Sequence, residues 1–209
     1  MSVTGIFLML FLIVHLTVNS LLMVGPDAFN EAAHFMTTNP AILVLEPILA
    51  LGFIIHIIYS AYITLQNQRL RPIKYKKLNR WSNTTWASRN MFILGGLILV
   101  FLVVHLSNFF WKVKFGHLDT VMVNGTEMEN LYGLVAGLFT TWWWYSVIYI
   151  LGALFLALHL THGFWAAFQS LGWDSDLWRI RLKRIAYVFA VVMGVGFAVI
   201  PLYFLISSS

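Results

Sequence analysis

IFLMLFLIVHLTVNSLLMV, residues Ile6 to Val24, contains no Asp, Glu, Lys or Arg over 19 positions. A helix needs about 20 apolar residues to cross a bilayer, so the stretch reads as a membrane span. One titratable ring interrupts it, His15. A polar side chain at membrane depth costs free energy unless it finds a partner, so His15 is a functional hypothesis by default. The plain alternative is a neutral histidine bonded to a carbonyl on another helix.

The rest of the chain extends this reading. Of 209 residues, 60% are hydrophobic and 10% charged, a composition expected of an all-α integral membrane protein. With no cysteine, disulfides, thiolate metal sites and protein-held iron–sulfur clusters are excluded. A cleaved signal peptide describes the N-terminus poorly, because no basic region precedes the apolar run and no small-residue cleavage site follows it. Five apolar segments stand out, at about 4–24, 41–65, 90–111, 142–168 and 185–206, within one transmembrane domain over 1–209. Between the first two, GPDAFNEAAHFMTTNP (25–40) carries a short helical pattern closed by Pro40.

Charge sets the orientation. Connections 66–89 and 169–184 hold eleven of the thirteen basic residues, while 112–141 holds Lys112 and Lys114 with Asp119, Glu127 and Glu129. The positive-inside rule then puts 66–89, 169–184 and the N-terminus in the cytoplasm and Ser207 to Ser209 outside. This distribution argues against nucleic acid as the target of the +5 net charge. The basic connections suit either the lipid surface or a soluble cytoplasmic partner. Trp81 and Trp86 on the inside, with Trp111 and Trp142 to Trp144 outside, read as an interfacial belt.

Of seven histidines, five fall in spans: His15, His56, His105, His159 and His162. His15 lies 10 residues before Gly25 and His105 lies 7 before Lys112. At about 1.5 Å per residue both sit roughly 10–15 Å below the outer boundary. His56 is 16 residues after Pro40 and His159 is 17 after Trp142, which puts both about 25 Å deep. The depths therefore pair His15 with His105 and His56 with His159. Two imidazoles facing each other inside a four-helix bundle can hold a haem iron on both axial sides, so two bis-histidine haems b in the first four helices are expected. Zinc is disfavoured, since each level offers two ligands and no nearby Asp, Glu or Cys. Gly52, Gly95, Gly96, Gly152 and Gly163 would leave room for a planar cofactor, although glycine also serves membrane-helix packing for its own sake.

His162 shares a helix face with His159, so either could be the ligand; His159 matches His56 better in depth. His162 then bonds within the bundle or near a haem propionate. His34 and His117 fall in outer connections, where a solvated histidine is usual. The run Val14-His15-Leu16-Thr17 with Asn19 echoes Val104-His105-Leu106-Ser107-Asn108. Its polar residues either satisfy backbone carbonyls or line a pocket for a haem edge or quinone headgroup.

With these residues assembled, the chain resembles the cytochrome b membrane-anchor subunit of succinate dehydrogenase and fumarate reductase, in its single-polypeptide, five-helix, di-haem form. The resemblance covers nearly the whole chain and is carried by HLTVN (15–19), GPDAFNEAAHFM (25–36), IIHIIYSAY (54–62), VVHLSNFFW (103–111) and LHLTHGFWAAFQSLGW (158–173). It implies that His15, His105, His56 and His159 ligate haem in those pairs. It also implies a flavoprotein subunit and an iron–sulfur subunit docked on the cytoplasmic face of a bacterial-type inner membrane. Electrons would pass from succinate through the inner and then the outer haem to quinone, usually menaquinone. Quinone reduction takes up protons, and Asp27, Glu31 and His34 are candidate ionisable groups near the outer haem; as loop residues they equally suit simple solvation. Some members carry a proton-conducting Glu two residues before the fourth-helix ligand. Here that residue is Ala157, so the path is not transferred. The basic stretch that relatives tend to have before the first helix is also absent from these residues. Rival readings are the di-haem anchor of a hydrogenase or formate dehydrogenase, and a haem-free carrier or assembly protein.

Overall fold

The computed structural model describes residues 1–70, 85–173 and 175–207. In chain order, α1 (Ser2–Ser20) continues through a 3-10 turn (Leu21–Met23), followed by α2 (Pro26–Thr38), α3 (Pro40–Arg69), α4 (Trp86–Arg89), α5 (Met91–Asn108) and α6 (Phe110–Phe115). A hairpin of β1 (Thr120–Val123) and β2 (Thr126–Glu129) comes next, then α7 (Leu131–Thr141), α8 (Trp143–Gln169) and α9 (Asp176–Ser207). Five stretches, Ser2–Met23, Pro40–Arg69, Met91–Phe115, Trp143–Gln169 and Asp176–Ser207, are long and apolar enough to cross a membrane. Among the described residues the chain is all-α apart from the hairpin.

Local chemistry sets several boundaries. The Asn39 side chain accepts from Ala41 N at 2.9 Å and Pro40 occupies the first helical position, so α2 ends and α3 begins within two residues. The expected short helix at 25–40 is α2. The α9 helix begins at Asp176, nine residues ahead of the apolar segment expected at 185. Arg179, Arg181, Lys183 and Arg184 therefore ride on its first turns instead of a connecting loop. Hydropathy marks the lipid-buried part of a helix, whereas Asp176 in the first turn favours an earlier start by offsetting the helix dipole. Arg71, Lys74, Lys76, Lys77, Arg80 and Trp81 of the other basic connection lie outside the described residues, as do Asp174, Ser208 and Ser209.

The region 112–141, expected as a plain connection, is structured. Asn124 and Gly125 have φ of 49° and 81°, and Val123 pairs with Thr126. This is the two-residue turn that Asn-Gly favours, because both central residues need positive φ. The hairpin is tied to α2 by Asn124, whose amide donates to Glu31. Buried Asn30 of α2 accepts from Tyr132 N at 2.8 Å, while the Asn130 side chain caps α7 through Gly133 N at 2.8 Å. The short helix α7 lays Val135, Leu138 and Phe139 against Tyr149, Ile200 and Phe204, forming a cap over one end of the long helices.

Among those helices, α1 packs on α3 and α8, and α5 packs on α8 and α3, so the four enclose a common interior. The most extensive contact is α8 with α9. It rests on small residues: Ala186 and Ala190 of α9 are fully buried, and Gly194 follows at the same four-residue interval. A Cβ built on Gly194 would lie 2.8 Å from Ala157 Cβ and 3.7 Å from Ala153 O. Close backbone approach of this kind is how apolar helices associate in lipid, where no hydrophobic force drives them together. Ala157 is thus part of the α8–α9 packing seam.

Candidate functional site

Two histidine-bearing levels lie within the four helices. Towards the cap, His15 of α1 and His105 of α5 face each other with ring centroids 5.7 Å apart and planes 87° apart. Phe11 stacks on His15 at 5.1 Å and Phe197 of α9 lies at 5.8 Å. Phe109, Phe101 and Tyr149 surround His105 at 5.4, 5.9 and 5.9 Å. His105 Nδ1 is buried with no hydrogen-bond partner. Two imidazoles on opposite sides of one metal ion, each nitrogen about 2 Å from it, would hold their ring centres roughly 6 Å apart. The observed separation fits that arrangement, and a buried ring nitrogen without a partner marks a place where an ion or cofactor would satisfy it.

The second level is built around His56 of α3 and His159 of α8. Thr4 Oγ1 donates to Met1 O at 2.8 Å and lies 3.3 Å from His56 Nδ1. With the hydroxyl hydrogen on Met1 O, Thr4 accepts from His56 Nδ1, the tautomer that would leave the Nε2 lone pair free for a metal. Gly5 of α1 faces His56, and Gly95 of α5 faces His159; a Cβ built on either would lie 3.8 Å from the imidazole Cε1. His159 Nδ1 is buried and unpartnered. No ring contact joins His56 to His159 among the described residues, but His159 lies within electrostatic range of both His56 and His162. On α1 and on α5 alike, the glycine precedes the cap-side histidine by ten residues. The two levels are therefore about 15 Å apart along the helix axes. His162 Nδ1 is likewise buried and unpartnered; its ring meets Trp165 edge-on at 5.1 Å, and Lys183 Nζ of α9 sits 4.8 Å from the Trp165 ring centre.

The remaining candidates separate by position. Thr17 and Ser107 lie on exposed faces and donate to Ile13 O and Val103 O of their own helices, each at 2.8 Å. Asn19 donates to His15 O at 2.8 Å with its amide 3.4 Å from His15 Nδ1. Asn108 is buried and donates to Tyr149 Oη at 3.2 Å. Glu31 is held by the hairpin, as described above. His34 lines a cavity of about 580 Å³ under the cap with Thr37, Thr38, Lys114, Glu127 and Glu129, outside the histidine levels. Glu46, near the start of α3, pairs with Lys114 Nζ at 2.7 Å.

Sequence reasoning missed Tyr149. Its signal was present, because Tyr149 lies seven residues past Trp142 and hence at the depth assigned to His105. It also missed Ser146, whose hydroxyl is fully buried and unpartnered.

No family model and no solved structure matches the chain. Over 158 residues it is 28% identical to the succinate dehydrogenase cytochrome b558 subunit of Bacillus subtilis (strain 168), an alignment that covers 75% of this chain and 69% of the relative. The chain is a multi-pass membrane protein related to a succinate dehydrogenase cytochrome b subunit, and its five apolar helices fit a membrane anchor of that kind.

Proposed function

We propose that the protein is the membrane-anchor cytochrome b subunit of a succinate:quinone oxidoreductase, with one haem b at each histidine level. The supporting observation is the two-level arrangement, a facing imidazole pair at His15 and His105 and a second histidine level about 15 Å away. His15 with His105 and His56 with His159 would hold the iron atoms. Thr4 would orient His56, and Gly5 and Gly95 would leave space beside the inner level. When bound, haem supplies reversible one-electron transfer, which links the iron–sulfur subunit to a quinone of the menaquinone type.

The cap end is then the outer face. The inner face presents the first turns of α9 and the 66–89 connection to the flavoprotein and iron–sulfur subunits. The N-terminus lies inside, the C-terminus outside, and the membrane is the bacterial cytoplasmic one. Glu31 and His34 sit at the outer face, where protons for quinone reduction would be exchanged.

A dithionite-reduced minus oxidised spectrum with a haem-to-protein ratio tests the reading. A ratio of two is expected, and a ratio of one would refute it. His15→Ala and His105→Ala should abolish one α-band component, and His56→Ala and His159→Ala the other. His162→Ala should keep both. Co-purification of a hydrogenase or formate dehydrogenase subunit, in place of a flavoprotein that oxidises succinate, would reassign the complex.

A further inference from the structure

Beside the outer histidine pair lies a group of buried polar atoms for which the haem ligands leave no use. Tyr149 is buried among Phe101, Phe109, Phe139 and His105, with ring centroids 5.0 to 5.9 Å away. Its oxygen accepts from Asn108 Nδ2 at 3.2 Å, and its own hydrogen meets no described acceptor. One turn earlier on the same face of α8, Ser146 is completely buried and its Oγ has no partner. Buried hydroxyls are almost always hydrogen-bonded, since the membrane interior offers no water to replace a missing partner. Two buried hydroxyls a turn apart, the first of them beside His105, whose Nδ1 is also buried and unpartnered, point to an acceptor supplied from outside the chain.

We propose that Tyr149 and Ser146, with Asn108 holding the Tyr149 oxygen, form a donor site for an acceptor oxygen of the redox group carried at the outer level. This rests on the reading of that level as a haem site. The acceptor is a carboxylate of the haem periphery or a carbonyl of a quinone, and both present the same chemistry to the two hydroxyls. Asn108 orients Tyr149, because an oxygen that already accepts from the amide must aim its hydrogen elsewhere.

Tyr149→Phe in the assembled complex tests the proposal, since it keeps the ring packing and deletes only the hydroxyl. The readouts are the midpoint potential of each haem and the KM for quinone, with succinate oxidation by a soluble dye as the control for the upstream subunits. A donor to a haem carboxylate offsets its negative charge, so its loss should lower the outer potential by about 59 mV for a ten-fold change in equilibrium and leave KM alone. A donor to a quinone carbonyl should instead give a roughly ten-fold higher KM at unchanged potential. Asn108→Leu should produce the same change as Tyr149→Phe. Ser146→Ala, which removes a single oxygen, gives a second reading if Tyr149→Phe fails to assemble. If potential and KM both stay at wild-type values in Tyr149→Phe and Ser146→Ala, the proposal is overturned. A wild-type complex without haem would instead overturn the functional reading on which it rests.

Discussion

Gly194→Ala probes the contact that sets the position of α8. The added Cβ would meet Ala157 Cβ at 2.8 Å, whereas carbon atoms in contact prefer about 3.5–4.0 Å. Neither atom can rotate away, since both are bonded directly to a helical backbone, and Ala153 O closes the other side at 3.7 Å. Relief therefore requires α8 and α9 to separate by about 1 Å, which loosens the Ala186 and Ala190 contacts on the same seam. Overpacking of this kind costs about 1–3 kcal/mol, and the better helix propensity of alanine offsets about 1 kcal/mol. The expected net loss is about 0–2 kcal/mol, and about 1–3 kcal/mol relative to an unhindered Gly→Ala change, read from the midpoint when tryptophan fluorescence follows unfolding of the detergent-purified protein. Gly96→Ala is the control: nothing lies within 4 Å of its built Cβ, so it should be neutral or stabilising. On the proposed haem reading, the shift should also lower haem retention, because α8 carries His159. A Gly194→Ala protein as stable as Gly96→Ala would refute the close α8–α9 packing.

On the proposed two-haem reading, Gly95→Ala places a methyl at ordinary contact distance from His159 and should keep both haem components, whereas Gly95→Leu should deplete the inner one, as reduced spectra of the two proteins would show. Thr4→Val removes the acceptor for His56 Nδ1, which lowers the basicity of the ligand and should raise the inner potential by an amount on the order of tens of millivolts. Thr4→Ser should restore the wild-type value, and a Thr4→Val potential equal to wild type would contradict the tautomer assignment. Glu46→Gln breaks a pair whose side chains are 30% and 34% exposed, so it should cost at most about 1 kcal/mol, and less in high salt. A larger loss in thermal midpoint would contradict the partly exposed setting of the pair.

Much of the architecture was legible because lipid imposes simple rules. A membrane interior accepts only continuous apolar helices, so the five spans show in composition alone. Along such helices depth is a count of residues, and that count already pairs His15 with His105. Other features escaped because they answer to different physics. The hairpin at 120–129 depends on positive φ at Asn124 and Gly125, a local turn signal that hydropathy does not carry. The early start of α9 depends on helix-end electrostatics, to which hydropathy is blind. From sequence, Thr17 and Ser107 suit either a pocket or bonds to backbone carbonyls; they lie on exposed faces and bond to their own helices.

The amino-acid sequence by itself determined which segments are long and apolar enough to cross a membrane and how the histidines are spaced along them, because hydropathy and rise per residue are local properties. Only the tertiary structure decided which way each side chain points and what lies opposite. That assignment depends on how neighbouring helices rotate and approach one another. It turned His159 toward Gly95, put Ala157 against Gly194 and brought Tyr149 beside His105.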